Sequence, residues 1–526
     1  MTGEAWNKMT AGDLLPKLKG RIEKMKFGKK LVCLFLAALM MLSLAACGDE
    51  QQGSVPQEQI TQATEAPGAV GETDSEETLL KPETKIYDRE FKFFVDGNYY
   101  CYVADDYQTG QGSVIDEAMY KRNLLMDELF GVDVVYRDEG TNAYSIFSTA
   151  ANAGEYVCDS VLFVAQQSFK LLQQGLYTDL ARLNGLNLSA SYWDQRIQSE
   201  YAIGDKIYFL EGDYTVYDEL RTYVILYNKR LYQDYNYYTT YGTLYDMVEN
   251  HTWTLEKMME MADGLYSDEN NNNVRDEFDK YGIVGALNFT WCAFLGSGLK
   301  MISNNNGELT LMIKDSSFYQ RTYDVLEDVT EMCIDEDILQ PQLMQHSDIW
   351  TAASNVFENN QALFRATTLS AATRLSNMSA KFGLVPVPAY SEDQGDYYGW
   401  ATSDSHTPLS MPRTVENKEE TAEILEVFCY YSRYLGDGSL YSSFIESFRL
   451  QKFCETEEDL AMLELIFEAK LYDFDYCAQI TNIPDEIWSM TKAQNYSALA
   501  SSIAALRGAA QAKMDAFLLA MAKYDY

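Results

Sequence analysis

Apolar and polar positions change their rhythm several times along this chain, and each change predicts an element. Glu90-Phe91-Lys92-Phe93-Phe94-Val95 reads as a strand that stops at Asp96-Gly97-Asn98. From Ile115 to Phe130 the apolar residues recur at helical spacing, and Val132 to Tyr136 reads as the next strand. Cys158 to Val164 is a third, followed by a helix over Ser168 to Gln174 with Gly175 as its C-cap, and Ile283 to Ala286 is again strand-like. Strands alternating with helices argue for an α/β fold with mainly parallel sheet. Ligands in such folds sit beyond the carboxyl ends of strands, here Asp96–Asn98 and Ala165–Gln167.

Two early stretches follow neither rhythm. Leu31 to Ala46 is an apolar run of 16 residues behind Lys26, Lys29 and Lys30. It is shorter than the ~20 residues a membrane-spanning helix needs, and small residues end it as at a cleavage site. The closing Leu44-Ala45-Ala46-Cys47 resembles a bacterial lipoprotein signal. That resemblance implies a signal peptide over 25–46, a lipid on the Cys47 thiol, and a chain anchored at the extracellular face of the cytoplasmic membrane. Residues 1–24 lack the three-part form of a signal and read as an over-long gene start. Residues 47–84, rich in Gln, Thr, Glu, Gly and Pro with almost no large apolar side chain, read as a lipid-anchored disordered linker.

Charge and cysteine usage narrow the partners. The chain has 41 Lys and Arg against 79 Asp and Glu, and after position 46 the balance is 33 against 76, a formal −43. Such a charge repels nucleic acid and anionic lipid, so contact with the membrane is expected through the lipid anchor alone. About 480 residues after Cys47 are more than one ordinary core accommodates, so two or more lobes are expected. Cysteines at 101, 158, 292, 333, 429, 454 and 477 show no CxxC spacing and read as buried thiols rather than a disulfide frame or zinc site. With three scattered histidines, His251, His346 and His406, a zinc hydrolase or a His-based triad has little material, and the composition leans away from an enzyme. The 39 Tyr and 7 Trp suit stacking on sugar rings as well as packing a core.

Five motifs in order then resemble one family. They are Leu226-Tyr227-Asn228-Lys229-Arg230-Leu231, Thr252-Trp253-Thr254-Leu255-Glu256-Lys257-Met258, Phe278-Asp279-Lys280-Tyr281-Gly282-Ile283, Phe357-Glu358-Asn359-Asn360-Gln361-Ala362-Leu363-Phe364 and Phe382-Gly383-Leu384-Val385-Pro386-Val387-Pro388. Behind a lipoprotein signal they resemble the extracellular solute-binding proteins (family 1-like) of bacterial carbohydrate ABC transporters. The resemblance implies a periplasmic-binding-protein-like fold of type II, with two α/β lobes, a hinge and an interlobe ligand cleft. Carried over, the crossings fall near Tyr214–Tyr223 and Phe364–Leu369. The first lobe is then 86–213 plus 381–436, and the second 222–365 plus 437–526. It also implies a monomer that passes a small solute, a carbohydrate, to permease subunits without turnover. A secreted glycosidase is the rival from another class, and a surface sensor or adhesin on the same fold is a third reading.

The resemblance and the chemistry together nominate site residues. Trp291, Trp400 and Trp488 are the candidate stacking rings, with core packing the competing reading for Trp291 and Trp488 and surface-loop packing that for Trp400. Gln166 and Gln167 could bond sugar hydroxyls from a strand end, as Asp213 with Tyr214 could from the first crossing, where Gly212 leaves room. Trp253 is read as structural, behind a Thr252 or Thr254 N-cap. No catalytic residue and no required cofactor is expected. The loop from Asp268 to Asp279 carries oxygens at calcium-loop positions: Asp268, Asn270, Asn272, Asp276 and Asp279 through side chains, Val274 through its carbonyl. Asn273 replaces the usual Gly and Asp279 the usual Glu, so this is a structural-calcium expectation with two departures from the pattern.

Overall fold

In a computed structural model the chain is described over residues 82–96, 113–285, 288–332, 338–339, 349–375, 378–403, 405–436, 438–449, 453–493 and 495–524. Cys47, the signal and most of the linker lie outside the described residues. The first elements follow the expected order: β1 (Arg89–Val95), α1 (Val114–Phe130) and β2 (Val132–Asp138). Ser113 starts α1 with a reciprocal cap, accepting from the Asp116 amide while the Asp116 carboxylate accepts from the Ser113 amide at 2.6 Å. Such caps contribute about 1 kcal/mol. Gly131, left-handed at φ 63°, ends the helix and turns the chain into β2.

β3 (Ser160–Leu162) is shorter than the expected 158–164, because α2 (Ala165–Leu172) starts three residues sooner than the sequence pattern suggests. The Val164 carbonyl already accepts from the Ser168 amide at 3.0 Å, so Gln166 and Gln167 stand in a first helical turn, not in a strand-end loop. Next come β4 (Tyr223–Asn228), β5 (Tyr281–Gly285), α3 (Phe289–Gly296), the hairpin β6 (Ile302–Asn305) and β7 (Glu308–Leu311), β8 (Ile338–Leu339), α4 (Ile349–Glu358), β9 (Ala362–Thr368) and β10 (Phe382–Val385). The last part holds β11 (Gly399–Trp400), β12 (Leu409–Ser410), α5 (Lys418–Tyr434), α6 (Leu440–Arg449), α7 (Glu457–Glu468), β13 (Lys470–Leu471), α8 (Phe474–Ala478) and α9 (Ile483–Ala493).

Nine of these strands make two mixed sheets and β6–β7 and β11–β13 make two-stranded ones, so the architecture is α/β as expected. The first has the order β12-β3-β1-β2, parallel except for β12. The second has the order β10-β4-β9-β5-β8, with β9, β5 and β8 parallel and β4 antiparallel to both β9 and β10. Both belong to one compact unit, Ser75–Tyr526, in which one hydrophobic cluster runs from Phe94 in β1 to Phe382 in β10. A second cluster covers the other face of the first sheet, where Phe91, Phe93 and Val95 pack against Phe428 and Leu425 of α5. No helix among the described residues is long and apolar enough to cross a membrane.

Two lobe assignments differ from the expectation. Residues 382–385, expected with the first lobe, form β10, which pairs antiparallel with β4 in the second sheet, and the chain rejoins the first sheet only at β12. The whole of 437–526 was placed with the second lobe, yet α6 packs against α1 beside the first sheet. The apolar run Phe382–Val385 does not itself say which of two half-built sheets offers it an edge.

Candidate functional site

Three passes of the chain meet between the sheets. Tyr223 at the start of β4 pairs with Thr368 at the end of β9, and the Thr222 carbonyl accepts from the Leu369 amide at 2.9 Å. The third pass, leaving β11, bonds the Thr402 amide to the Arg221 carbonyl at 3.2 Å. Small-molecule sites are cavities of about 300–1,000 Å³. One of 470 Å³ opens at this junction, lined by residues of all three passes together with Asn288 beyond the carboxyl end of β5 and Trp350 and Ser354 from α4. It lies at strand carboxyl ends, where α/β folds hold ligands.

The lining is polar and carries one sign of charge. Arg221, Arg365 and Arg374 all reach it, and no Asp or Glu is among its described lining residues. Trp350, 42% exposed, supplies an accessible ring, and Thr367, Thr368 and Ser370 supply hydroxyls. Arg221 stacks on the Tyr217 ring, its guanidinium carbon 4.6 Å from the centroid. Arg365 is the unusual member. It sits in the middle of β9, opposite Leu226 of β4 and Val284 of β5, in a strand whose seven residues are all buried. Burial, with the Arg374 charge adding to it, pushes its guanidinium down to about 10.

A second cavity, 490 Å³, lies between β13, the end of α7 and residues 395–398. Its lysines and its arginine already have partners. Lys470 is within 3.1 Å of Asp194 and 3.0 Å of Glu219, and Lys300 meets Glu200. Arg196 donates to the Phe467 and Glu468 carbonyls at 2.8 and 2.6 Å. Internally satisfied charges leave little to attract a ligand, so the cavity at the three-pass junction is the better candidate.

None of the seven residues nominated from sequence lines that cavity. Three of them converge elsewhere, on α8 and its N-cap Asp473. Trp291, buried, donates from Nε1 to Asp473 Oδ2 at 3.0 Å; Gln166 donates to the Tyr476 carbonyl at 3.5 Å; Trp400, fully buried, packs on the Tyr476 ring at 4.9 Å. Gly399 admits the Tyr223 backbone, whose carbonyl would lie 3.2 Å from a Cβ there. Gln167 is half-buried, with no hydrogen-bond partner for Oε1 among the described residues. Trp488 lies on the surface of α9, with Lys492 over its ring at 5.1 Å.

The first-crossing pair turns inward to the first sheet's side. Asp213 pairs with Arg433 at 2.8 Å, and burial pushes its carboxyl up to about 6 against that pull. Tyr214 is buried in the cluster against α5 and donates to Glu211 at 3.2 Å. Gly212 is needed for close packing, since a Cβ would lie 2.2 Å from the Tyr192 carbonyl. Trp253 is fully buried and donates to the Pro386 carbonyl at 2.9 Å, with Thr254 as the N-cap, in keeping with a structural role.

In the Asp268–Asp279 loop the side chains bond one another. Asn270 and Asn272 donate to Asp276 at 3.2 and 2.7 Å, Asp268 accepts from the Asn272 and Asn273 amides, and Val274 donates its amide to Asn272 Oδ1. Asp279 is buried and accepts from the Glu269 amide at 3.1 Å. Asn273 is left-handed at φ 58°, the conformation that position of a calcium loop requires. Among the described residues no group of three or more His, Cys, Asp or Glu side chains is arranged to hold a metal ion. Cys158, Cys292 and Cys429 are buried and unbridged, and Cys477 Sγ lies 3.1 Å from Tyr201 Oη.

No protein-family model matches this chain, and no curated protein does. Among solved structures, the chain is similar to the GacH receptor of Streptomyces glaucescens GLA.O, described unliganded and in complex with acarbose. The two share 12% identity, over 83% of this chain and 99% of the receptor, with a TM-score of 0.48.

Proposed function

We propose that this protein is a lipid-anchored solute-binding protein, which captures a small solute of the sugar or oligosaccharide class in the cavity between its two sheets and delivers it to an ABC transporter permease. The supporting observation is the place of that cavity, at the junction of three passes of the chain, of which the one entering β4 and the one leaving β11 lead from and back to the first sheet. Small backbone rotations at so few residues would open and close it, and a closed, filled form is what a permease has to distinguish. An accessible Trp350 ring beside threonine and serine hydroxyls suits a sugar.

A lipid on Cys47 and the linker to residue 84 would hold the protein, as a monomer, near its permease at the outer face of the membrane and raise its effective concentration there. A thermal-shift screen of mono- and oligosaccharides tests the reading. A solute at 100 times its Kd adds about 2.7 kcal/mol to the folded state, so a binder raises Tm visibly, and silence across the panel contradicts the proposal.

The left-handed Asn273 favours a second proposal, a structural calcium held by Asp268, Asn270, Asn272, Val274, Asp276 and Asp279. Calcium is then expected to raise Tm in the native chain and not in Asp268→Ala. Equal melting with calcium and with chelator would mean that the loop is held by its own hydrogen bonds.

A further inference from the structure

Arg365 is 2% exposed, yet its Nε and Nη1 have no hydrogen-bond acceptor among the described residues. Its remaining bond runs from Nη2 to Ser354 Oγ at 2.7 Å, a neutral partner that also lines the cavity. A buried guanidinium without an anionic partner is among the costlier things a fold can hold, and natural cores avoid it unless something compensates. Arg374, which reaches the same cavity, adds to that cost, and Glu358 and Tyr223 offset part of it without bonding the guanidinium. In a chain with 79 acidic residues, a pocket with three arginines and no described carboxylate is a local reversal of the molecule's charge.

From the unmatched Arg365, the second cation Arg374 and the acid-free lining, we infer that the solute of this cavity is an anion. It carries a carboxylate, sulfate or phosphate group that takes the free Nε and Nη1 donors, beside hydroxyls read by Thr367, Thr368 and Ser370. The inference rests on the solute-binding reading and gives it a substrate class. Guanidinium donors form a fixed fork that matches an oxyanion, and a charge-assisted bond inside a partly closed cavity is worth more than one in water. The strongly negative surface repels anions at long range, so selection among them has to come from this local reversal. The bound group would also supply the partner that Arg365 lacks, which couples cavity closure to occupancy.

Matched pairs of probes test this by calorimetry and thermal shift on the full chain: galacturonic acid against galactose, trigalacturonate against α-1,4-galactotriose, glucose 6-phosphate against glucose, and N-acetylglucosamine 6-sulfate against N-acetylglucosamine. The charged member of at least one pair is expected to bind at least tenfold more tightly than its neutral partner, and the pair that responds identifies which oxyanion is read. Arg374→Ala, at an exposed position, is expected to weaken that binding tenfold or more, and Arg365→Met to abolish it. Arg365→Met is also expected to raise the Tm of the empty protein, a change that a purely structural arginine would not produce. Neutral sugars binding as well as or better than their acids would overturn the anion while leaving the solute-binding reading in place. Silence from every probe would overturn both. Unchanged affinity in both variants would remove the anion from this cavity.

Discussion

Arg365 donates from Nη2 to Ser354 Oγ at 2.7 Å, joining the fully buried strand β9 to the exposed-edged helix α4 across the wall of the cavity. The bond satisfies one donor of a guanidinium that has no other acceptor among the described residues. Ser354→Ala would leave that donor unmade as well, which typically costs about 1–3 kcal/mol. Urea unfolding of the empty protein is expected to show a loss in that range. A variant as stable as the parent would mean that Nη2 is already solvated.

Lys470 lies at the centre of a different charge cluster. Its ammonium, 2% exposed, is shared by Asp194, Asp218 and Glu219, and Asp218 stands in the segment that leads into β4. Removing one member of a buried ion group leaves the rest uncompensated. Lys470→Met is therefore expected to destabilise by about 3–5 kcal/mol, and Lys470→Met with Asp218→Asn by less. Chemical denaturation of both variants checks this, and a double variant no better than the single one would contradict it.

Three buried carboxyls set a pH dependence. Burial pushes Asp213 and Asp473 up to about 6, and Asp475, with Asp473 beside it, up to about 7. Each binds its proton more tightly folded than unfolded. Their stabilisation is fully present below the ordinary carboxyl range and is lost as pH rises through 6 to 7. His406, which burial pushes down to about 4, acts in the opposite sense and offsets part of the effect as pH falls below its ordinary value. Stability is expected to be higher near pH 5.5 than near pH 7.5, and Asp475→Asn, which keeps a polar side chain beside Thr481, is expected to flatten that difference. Melting curves at the two pH values decide it.

The fold was legible wherever a rhythm of apolar residues coincided with a single sheet. β1, α1 and β2 fall where the pattern of Phe91, Phe93 and the Ile115–Phe130 stripe puts them. Sheet membership of Phe382–Val385 was not legible, since a short apolar strand suits either sheet and only tertiary pairing with β4 decides. The residues that line the candidate cavity were not legible. Of the two expected crossings, Tyr214–Tyr223 leads into β4, whereas Phe364–Leu369 lies in and just past β9, after which the chain goes on to β10 of the same sheet. Aromatic identity drew attention to Trp291 and Trp400, which are large enough to be useful in a core and are buried there. The available signal was Arg365, a lone cation inside Ala362-Leu363-Phe364-Arg365-Ala366, because a charge in the middle of a buried strand needs a reason.

The central claim, that a solute is held between the sheets, is tested most directly at Trp350, which is exposed and so can be truncated without opening the core. The measurement is a calorimetric titration of the tightest binder from the sugar and sugar-acid panel into the parent chain and Trp350→Ala. Binding one solute per chain, weakened about tenfold or more in the variant with unchanged melting of the empty protein, is the expected result. Equal affinity in the two proteins would contradict the account.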